Sequence, residues 1–226
     1  MSEPLDLNKF RTRTYSQNGE DGMCLRMFET LGITKPTYCE IGAGDGRELS
    51  NTRLFYERGA RGAMIEGDLS LFIELKSYRP GDYLVNEYVD CEENNTLDYW
   101  LGASALAHDF DLLSLDIDGN DIWVWESMEV YKPKAVLVEY NYSLKESLTI
   151  AYDPKHRFMR DNYYGATAAA LCKLGSAKGY VLVGFTPHNN LLFLRTDLAY
   201  GFRHYDVADV PTGGGWPQSN RIMIPY

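Results

Sequence analysis

Two stretches of this 226-residue chain carry residue types whose spacing could do chemistry. The first is Glu40-Ile41-Gly42-Ala43-Gly44-Asp45-Gly46, an acid near the end of an apolar run followed by glycines at alternate positions. Glycine lacks a Cβ, so its backbone can approach a ligand closely, and a helix begun at such a turn offers unpaired N–H groups. A dinucleotide fingerprint would need a further glycine where Arg47 stands. A purely structural turn is the plain alternative. The run Gly62-Ala63-Met64-Ile65 then leads into Glu66-Gly67, and Glu66 follows Gly46 by 20 residues. A carboxylate at that distance suits the two hydroxyls of a ribose. After the next apolar run, Asn86 and Tyr88 could flank an adenine.

The second stretch is acidic. Asp116-Ile117-Asp118-Gly119-Asn120-Asp121 follows Leu112-Leu113-Ser114-Leu115, and Glu139-Tyr140-Asn141 follows Val136-Leu137-Val138. In open α/β sheets, ligands bind at the carboxyl ends of the strands. Three chemistries compete there: helix capping and turn formation, coordination of a hard cation by oxygen, and removal of a proton from a substrate. Asn120 and Asp121 read as cap and turn residues, Asp116 and Glu139 as functional groups. His108, His156 and His204 sit in polar, loop-like contexts and read as surface groups. His188 lies between the last two apolar runs at the same edge, and with Asp118 is the candidate general base.

These groups need a scaffold. Apolar runs bounded by turn residues alternate with longer amphipathic stretches, the pattern of βαβ units. Strands are predicted at Thr37–Ile41, Arg61–Glu66, Tyr83–Tyr88, Asp111–Asp116, Ala135–Glu139, Tyr180–Thr186 and Asn190–Arg195. Helices are predicted at Glu20–Leu31, Leu49–Arg58, Leu69–Tyr78, Leu97–Leu101, Ile122–Met128 and Gly165–Lys178. Only Pro187-His188-Asn189 joins the last two strands, too short for a parallel crossover, so they form an antiparallel hairpin.

There is no internal repeat, low-complexity tract or linker, so residues 1–226 read as a single domain, with residues 1–31 as an N-terminal helical segment. Residues 142–164 look like an insertion before the last helix. Tyr152, His156, Arg157, Arg160, Tyr163 and Tyr164 give it aromatic surface and positive charge. Such a stretch could cover a pocket mouth, with Asn141, Arg157, Arg160 and Tyr164 meeting an anionic or sugar-bearing substrate. A solvated loop is the alternative.

The net charge of −10 argues against nucleic acid or an anionic membrane as partner. No apolar run reaches the length of a membrane span, and Met1 to Phe10 lack the apolar centre of a signal peptide. Scattered Cys24, Cys39, Cys91 and Cys172 are expected as reduced thiols of a cytoplasmic protein. Oligomeric state is not written in these patterns.

Taken together, Tyr15-Ser16-Gln17-Asn18-Gly19-Glu20-Asp21, Glu40 to Gly46, Ile65-Glu66-Gly67-Asp68, Ser114 to Asp121 and Val138-Glu139-Tyr140-Asn141 resemble the FkbM-like bacterial branch of class I methyltransferases, which use S-adenosylmethionine (SAM). The resemblance spans about Tyr15 to Arg195, while Leu144 to Arg160 follows no pattern of that branch. It implies an α/β fold: a Rossmann-like, seven-stranded, mainly parallel sheet with a C-terminal antiparallel hairpin and helices on both faces. It implies a SAM pocket of Gln17, Glu20, Glu40, Gly42, Gly44, Glu66 and Asp116, with Ala43, Asp45, Gly67 and Asn86 beside them. The implied reaction is methyl transfer to oxygen of a small-molecule acceptor: a sugar, nucleotide-linked or phospho-modified precursor of a surface polysaccharide.

In metal-dependent O-methyltransferases, an acid after the fourth strand and an acid plus an amide after the fifth hold Mg²⁺. By strand position Asp116, Glu139 and Asn141 are comparable, which makes Mg²⁺ or Mn²⁺ a candidate second cofactor. A metal-free site using His188 or Asp118 as base is the default. Two rival functions stay open: an NAD-dependent oxidoreductase, opposed by Arg47 and the terminal hairpin, and a non-catalytic SAM-binding partner subunit, opposed by the carboxylate-rich mouth.

Overall fold

The computed structural model describes residues 3–226. Met1 and Ser2, where the expected N-terminal helical segment begins, lie outside them. The strands are β1 (Tyr38–Ile41), β2 (Gly62–Ile65), β3 (Tyr83–Val85), β4 (Leu112–Leu115), β5 (Ala135–Glu139), β6 (Leu148–Thr149), β7 (Tyr180–Phe185), β8 (Asn190–Arg195) and β9 (Ile224–Pro225). Seven of them form one sheet in the order β3-β2-β1-β4-β5-β8-β7. β1 to β5 run parallel to one another, and β8 is antiparallel to both β5 and β7. The expected mainly parallel sheet with a terminal hairpin is thus the observed one.

The helices are α1 (Glu20–Thr30), α2 (Arg53–Glu57), α3 (Leu69–Tyr78), α4 (Leu97–Leu101), α5 (Asp121–Ser127) and α6 (Ala168–Ala177). Successive strand residues point to opposite faces, and the sequence supplies apolar side chains to both. Cys39, Ile41, Leu113, Leu115, Val136 and Val138 pack with Leu101 of α4, Trp125 of α5 and Leu171 of α6. Tyr38, Met64, Leu112 and Leu137 pack on the other face with Met23 of α1, Phe55 of α2 and Leu75 of α3. Helices therefore cover both faces. Strand order reverses between β1 and β4, and a crevice opens at their carboxyl ends.

Several boundaries differ from expectation, each for a local reason. The helix expected from Leu49 begins only at Arg53: Leu49 has φ +57°, and the side chains of Ser50 and Thr52 turn back onto Glu40. The last long helix starts at Ala168 because Gly165 lies at φ +49° and the Thr167 hydroxyl caps the Ala170 N–H. β2 and β3 stop at Ile65 and Val85, before Glu66 and Asn86, whose side chains tie the following loops. Between Leu7–Phe10, a short 3₁₀ turn, and α1, the chain is not helical. It wraps around Asp21, whose carboxylate accepts the N–H groups of Thr14, Tyr15 and Ser16. Within residues 142–164 the regular element is β6, antiparallel to β9 with Leu148 opposite Pro225. No helix among the described residues is long and apolar enough to cross a membrane.

Candidate active site

The glycine turn after β1 is built by its neighbours. Gly42, Gly44 and Gly46 have φ of +72°, +55° and +71°, a region that favours glycine. Two of them have different reasons to be glycine. A Cβ at Gly42 would collide with the carbonyl oxygen of Asp116, so the ends of β1 and β4 touch backbone to backbone. A Cβ at Gly44 would meet nothing within 4 Å, because it would project into open space.

Three buried side chains hold the turn. Glu40 accepts the Asn51 N–H at 2.8 Å and the Ser50 hydroxyl at 2.7 Å, along with the Thr52 hydroxyl. Arg79, fully buried, donates to the Gly46 carbonyl through Nε at 3.0 Å and Nη2 at 2.8 Å. Its charge faces Asp82 at 3.5 Å. Glu66 accepts the N–H groups of Gly44 and Asp68, both at 2.7 Å, and each oxygen keeps a further acceptor site. The cradle is therefore made by carboxylates and a guanidinium rather than by a helix N-terminus.

Beside it lies a cavity of about 490 Å³, within the range of about 300–1,000 Å³ usual for small-molecule sites. Gln17, Glu40, Gly42, Ala43, Gly44, Glu66, Gly67 and Asp116 line it, together with Tyr88 and Asp118. Asp45 and Asn86 do not. Asp45 caps the turn by accepting the N–H groups of Arg47 and Glu48, and Asn86 donates to the carbonyls of Glu66 and Gly67.

The acidic turn after β4 forms the opposite wall. Asp121 accepts the N–H groups of Ile117 and Gly119, both at 2.9 Å, which is the turn-forming role expected of it. Burial pushes its carboxyl up to about 6. Asp118 stands at φ +57°. Asp116, Asp118 and Glu139 can each bring one oxygen within 4.8 Å of the others. Burial, then repulsion among these acids, holds Asp116 and Glu139 well above the ordinary carboxylate range.

Part of the insertion roofs the cavity. Asn120 donates to the Asp153 carbonyl at 2.8 Å, His156 Nε2 lies 3.1 Å from the Asp118 carbonyl oxygen, and the Arg157 guanidinium sits 4.8 Å from the Tyr88 ring centre. His156, Arg157 and Phe158 line the cavity.

Six further sequence-derived placements differ from the structure. Glu20 is buried beneath the hairpin and does not line the cavity; it accepts from the Thr186 hydroxyl and the amides of Asn189 and Asn190, bracing α1 against β8. Asn141 is fully buried, donating to the carbonyls of Asn162 and Tyr164 and accepting the Ser143 N–H, so it is committed to neither substrate nor metal. The acidic trio that comes together is Asp116, Asp118 and Glu139 instead. Tyr164 is packed inside the roof against Phe158, and Arg160, exposed at φ +57°, is not part of the cavity wall. His188 stacks on Tyr142 at 4.8 Å outside the cavity, while His156, read as a surface group, is inside it. The sequence signal for His156 was its place in the aromatic, basic stretch; what it lacked was the fold-back that Asn120 and Asp153 secure.

No family model and no curated protein sequence matches the chain. Solved structures do. A TehB-like SAM-dependent methyltransferase from Corynebacterium glutamicum is 12% identical, with a TM-score of 0.47 over 81% of this chain and 89% of that one. CalS10, an amino pentose methyltransferase from Micromonospora echinaspora, is 12% identical with a TM-score of 0.48, covering 83% of this chain and 94% of that one. At such identities and scores, the site has to be read from its own residues.

Proposed function

We propose that this chain is a SAM-dependent methyltransferase of the FkbM-like kind, a single cytoplasmic domain acting on oxygen of a small molecule. The observation that carries the reading is the pairing of a ligand-open Gly44 with Glu66, from the end of the adjacent strand, at the point where strand order reverses. There Glu66 takes the ribose hydroxyls, Tyr88 lies where an adenine ring would stack, and the acidic wall of Asp116 and Asp118 suits a sulfonium cation. Methyl transfer is a direct displacement, so the main contribution of the protein is to hold acceptor oxygen and methyl carbon in line. The acceptor we propose is a sugar, nucleotide-linked or phospho-modified precursor of a surface polysaccharide. Arg157 on the cavity wall suits a phosphate or other anionic group of such a molecule.

The gathering of Asp116, Asp118 and Glu139 favours one further reading, a bound Mg²⁺ or Mn²⁺. Oxygen ligands fit such ions, and a bound cation would acidify an acceptor hydroxyl. Turnover that survives exhaustive chelation would remove it.

Calorimetry with SAM, S-adenosylhomocysteine and NADH tests the main reading, followed by transfer of a tritiated methyl group into a panel of nucleotide sugars, sugar phosphates and free sugars. We expect micromolar SAM binding and label in one class of the panel. Binding of NADH in place of SAM would make the protein an oxidoreductase, and SAM binding with no labelled product would favour a non-catalytic partner subunit.

A further inference from the structure

We infer that Asn190, the first residue of β8, holds a protonated amine at the hairpin end of this cavity, with Glu20 as the positioning residue that turns its amide; the inference rests on the methyltransferase reading above. Asn190 is 1% exposed and lines the cavity, whereas Glu20 does not. Most of its polar atoms are taken. The N–H donates to the Thr186 hydroxyl at 3.1 Å, the carbonyl accepts the Thr186 N–H at 2.8 Å, and Nδ2 donates to Glu20 Oε1 at 3.2 Å. Oδ1 is buried and has no partner among the described residues. Buried polar side-chain atoms are nearly always paired, so an orphan on a cavity wall marks where the donor of a ligand belongs.

The direction of the amide follows from its partner. An ionised carboxylate can only accept, so the Nδ2 arm must face Glu20, and the Oδ1 arm, which diverges from it at Cγ, faces away. With its backbone groups spent on Thr186 inside the hairpin, Oδ1 is the polar atom that Asn190 has left for the cavity it lines. Glu20 is ionised at pH 7: burial raises its pKa, but hydrogen bonds from Asn189, Thr186 and Asn18 outweigh burial and lower it. Asn189, also on the cavity wall, is turned by the same carboxylate, its Nδ2 donating at 3.0 Å.

The group that suits this place is a cation as well as a donor. Glu20 is surrounded by neutral donors: the Thr186 hydroxyl, two side-chain amides and the Asn18 N–H. Donation to a carboxylate polarises an amide and makes its oxygen a stronger acceptor. Among the described residues lining the cavity there is no lysine, and Arg157, the one arginine, belongs to the roof. A hydroxyl would pair Oδ1 and leave the buried negative charge behind it unanswered; a protonated amine does both. Such an amine has two sources, the amino-acid tail of SAM and an amino group on the acceptor.

Calorimetry of wild type, Asn190→Leu and Glu20→Gln separates the sources. The ligands are S-adenosylhomocysteine and its analogue lacking the α-amino group. Asn190→Leu removes the acceptor at nearly constant volume and leaves Glu20 its other donors; Glu20→Gln brings a donor of its own and no longer dictates which arm of Asn190 faces the cavity. If the amine belongs to the cofactor, wild type prefers S-adenosylhomocysteine at least ten-fold, and both variants lose that preference while binding the analogue within about two-fold of wild type. If it belongs to the acceptor, both variants bind S-adenosylhomocysteine as wild type does. Asn190→Leu then raises KM at least ten-fold for amine-bearing members of the sugar panel that take label, with kcat within about two-fold and amine-free members unaffected. A wild-type preference that survives in Asn190→Leu, with no such rise in KM, overturns the inference. Equal affinity of wild type for the two adenosyl ligands, with no amine-bearing member labelled, overturns it without any variant. Failure of wild type to bind either adenosyl ligand would instead refute the methyltransferase reading and take the inference with it.

Discussion

Gly42 and Gly44 stand two residues apart in one turn with similar dihedral angles, yet they should fail in different ways. Alanine at Gly42 meets two penalties. A left-handed conformation costs a non-glycine residue roughly 1–2 kcal/mol, and driving a methyl group into the Asp116 carbonyl adds an overpacking term of roughly 1–3 kcal/mol. The total of about 2–5 kcal/mol, at roughly 2–4 °C per kcal/mol for a chain of this size, lowers Tm by about 4–20 °C. Alanine at Gly44 meets only the first penalty, since nothing lies within 4 Å of the new atom, and lowers Tm by about 2–8 °C. Its methyl group projects where a ligand would lie, so SAM affinity measured by calorimetry should drop at least ten-fold, about 1.4 kcal/mol. Scanning calorimetry and titration of both variants decide the matter. Equal melting shifts would refute the contact between the ends of β1 and β4, and undiminished SAM affinity in folded Gly44→Ala would refute the placement of the cofactor.

Three further outcomes follow from the site. Glu139 has a raised carboxyl pKa, so its favourable contribution is complete below the ordinary carboxylate range and lost as pH climbs through the raised value; Glu139→Gln should melt higher than wild type at pH 8 but not at pH 4, and a lower Tm at pH 8 would contradict this. Asn141→Ala strands the buried Tyr164 carbonyl in the roof, a loss of roughly 1–3 kcal/mol, and should lower Tm by about 2–12 °C even in chelator; an unchanged melt removes its bracing role. Arg157→Ala removes a positive charge from the cavity wall and should raise KM for the acceptor that takes label while leaving SAM Kd within about two-fold, whereas Arg160→Ala should change neither; equal effects of the two on acceptor KM would contradict the placement.

The sheet was legible because its signals are local. Runs such as Leu112-Leu113-Ser114-Leu115 are apolar on both faces, and three residues between the last strands admit only a hairpin. The glycine turn was legible for the same reason, since its dihedral demands fall on consecutive residues. What escaped were roles set by partners far along the chain. Glu20 is occupied by side chains more than 160 positions away, and Asn141 by carbonyls about 20 positions on. Each looked free until the chain folded. His156 and His188 exchanged places because the choice depends on where residues 153–158 fold back, and that rests on one amide, Asn120, which the sequence offers as readily for a helix cap.

The cradle and the roof differ in how much ordering a ligand would still have to bring about. Glu40, Glu66 and Arg79 have already frozen the glycine turn through the protein's own groups, so little freedom is left there for binding to remove. The roof is latched by a few contacts at Asn120, Asp118 and Tyr88. A cofactor diffused into crystals should therefore leave the backbone of residues 40–46 superimposable and register its arrival at residues 153–158. A lattice that pins those six residues would turn the cofactor away, and growing crystals with the ligand already present is the way around it.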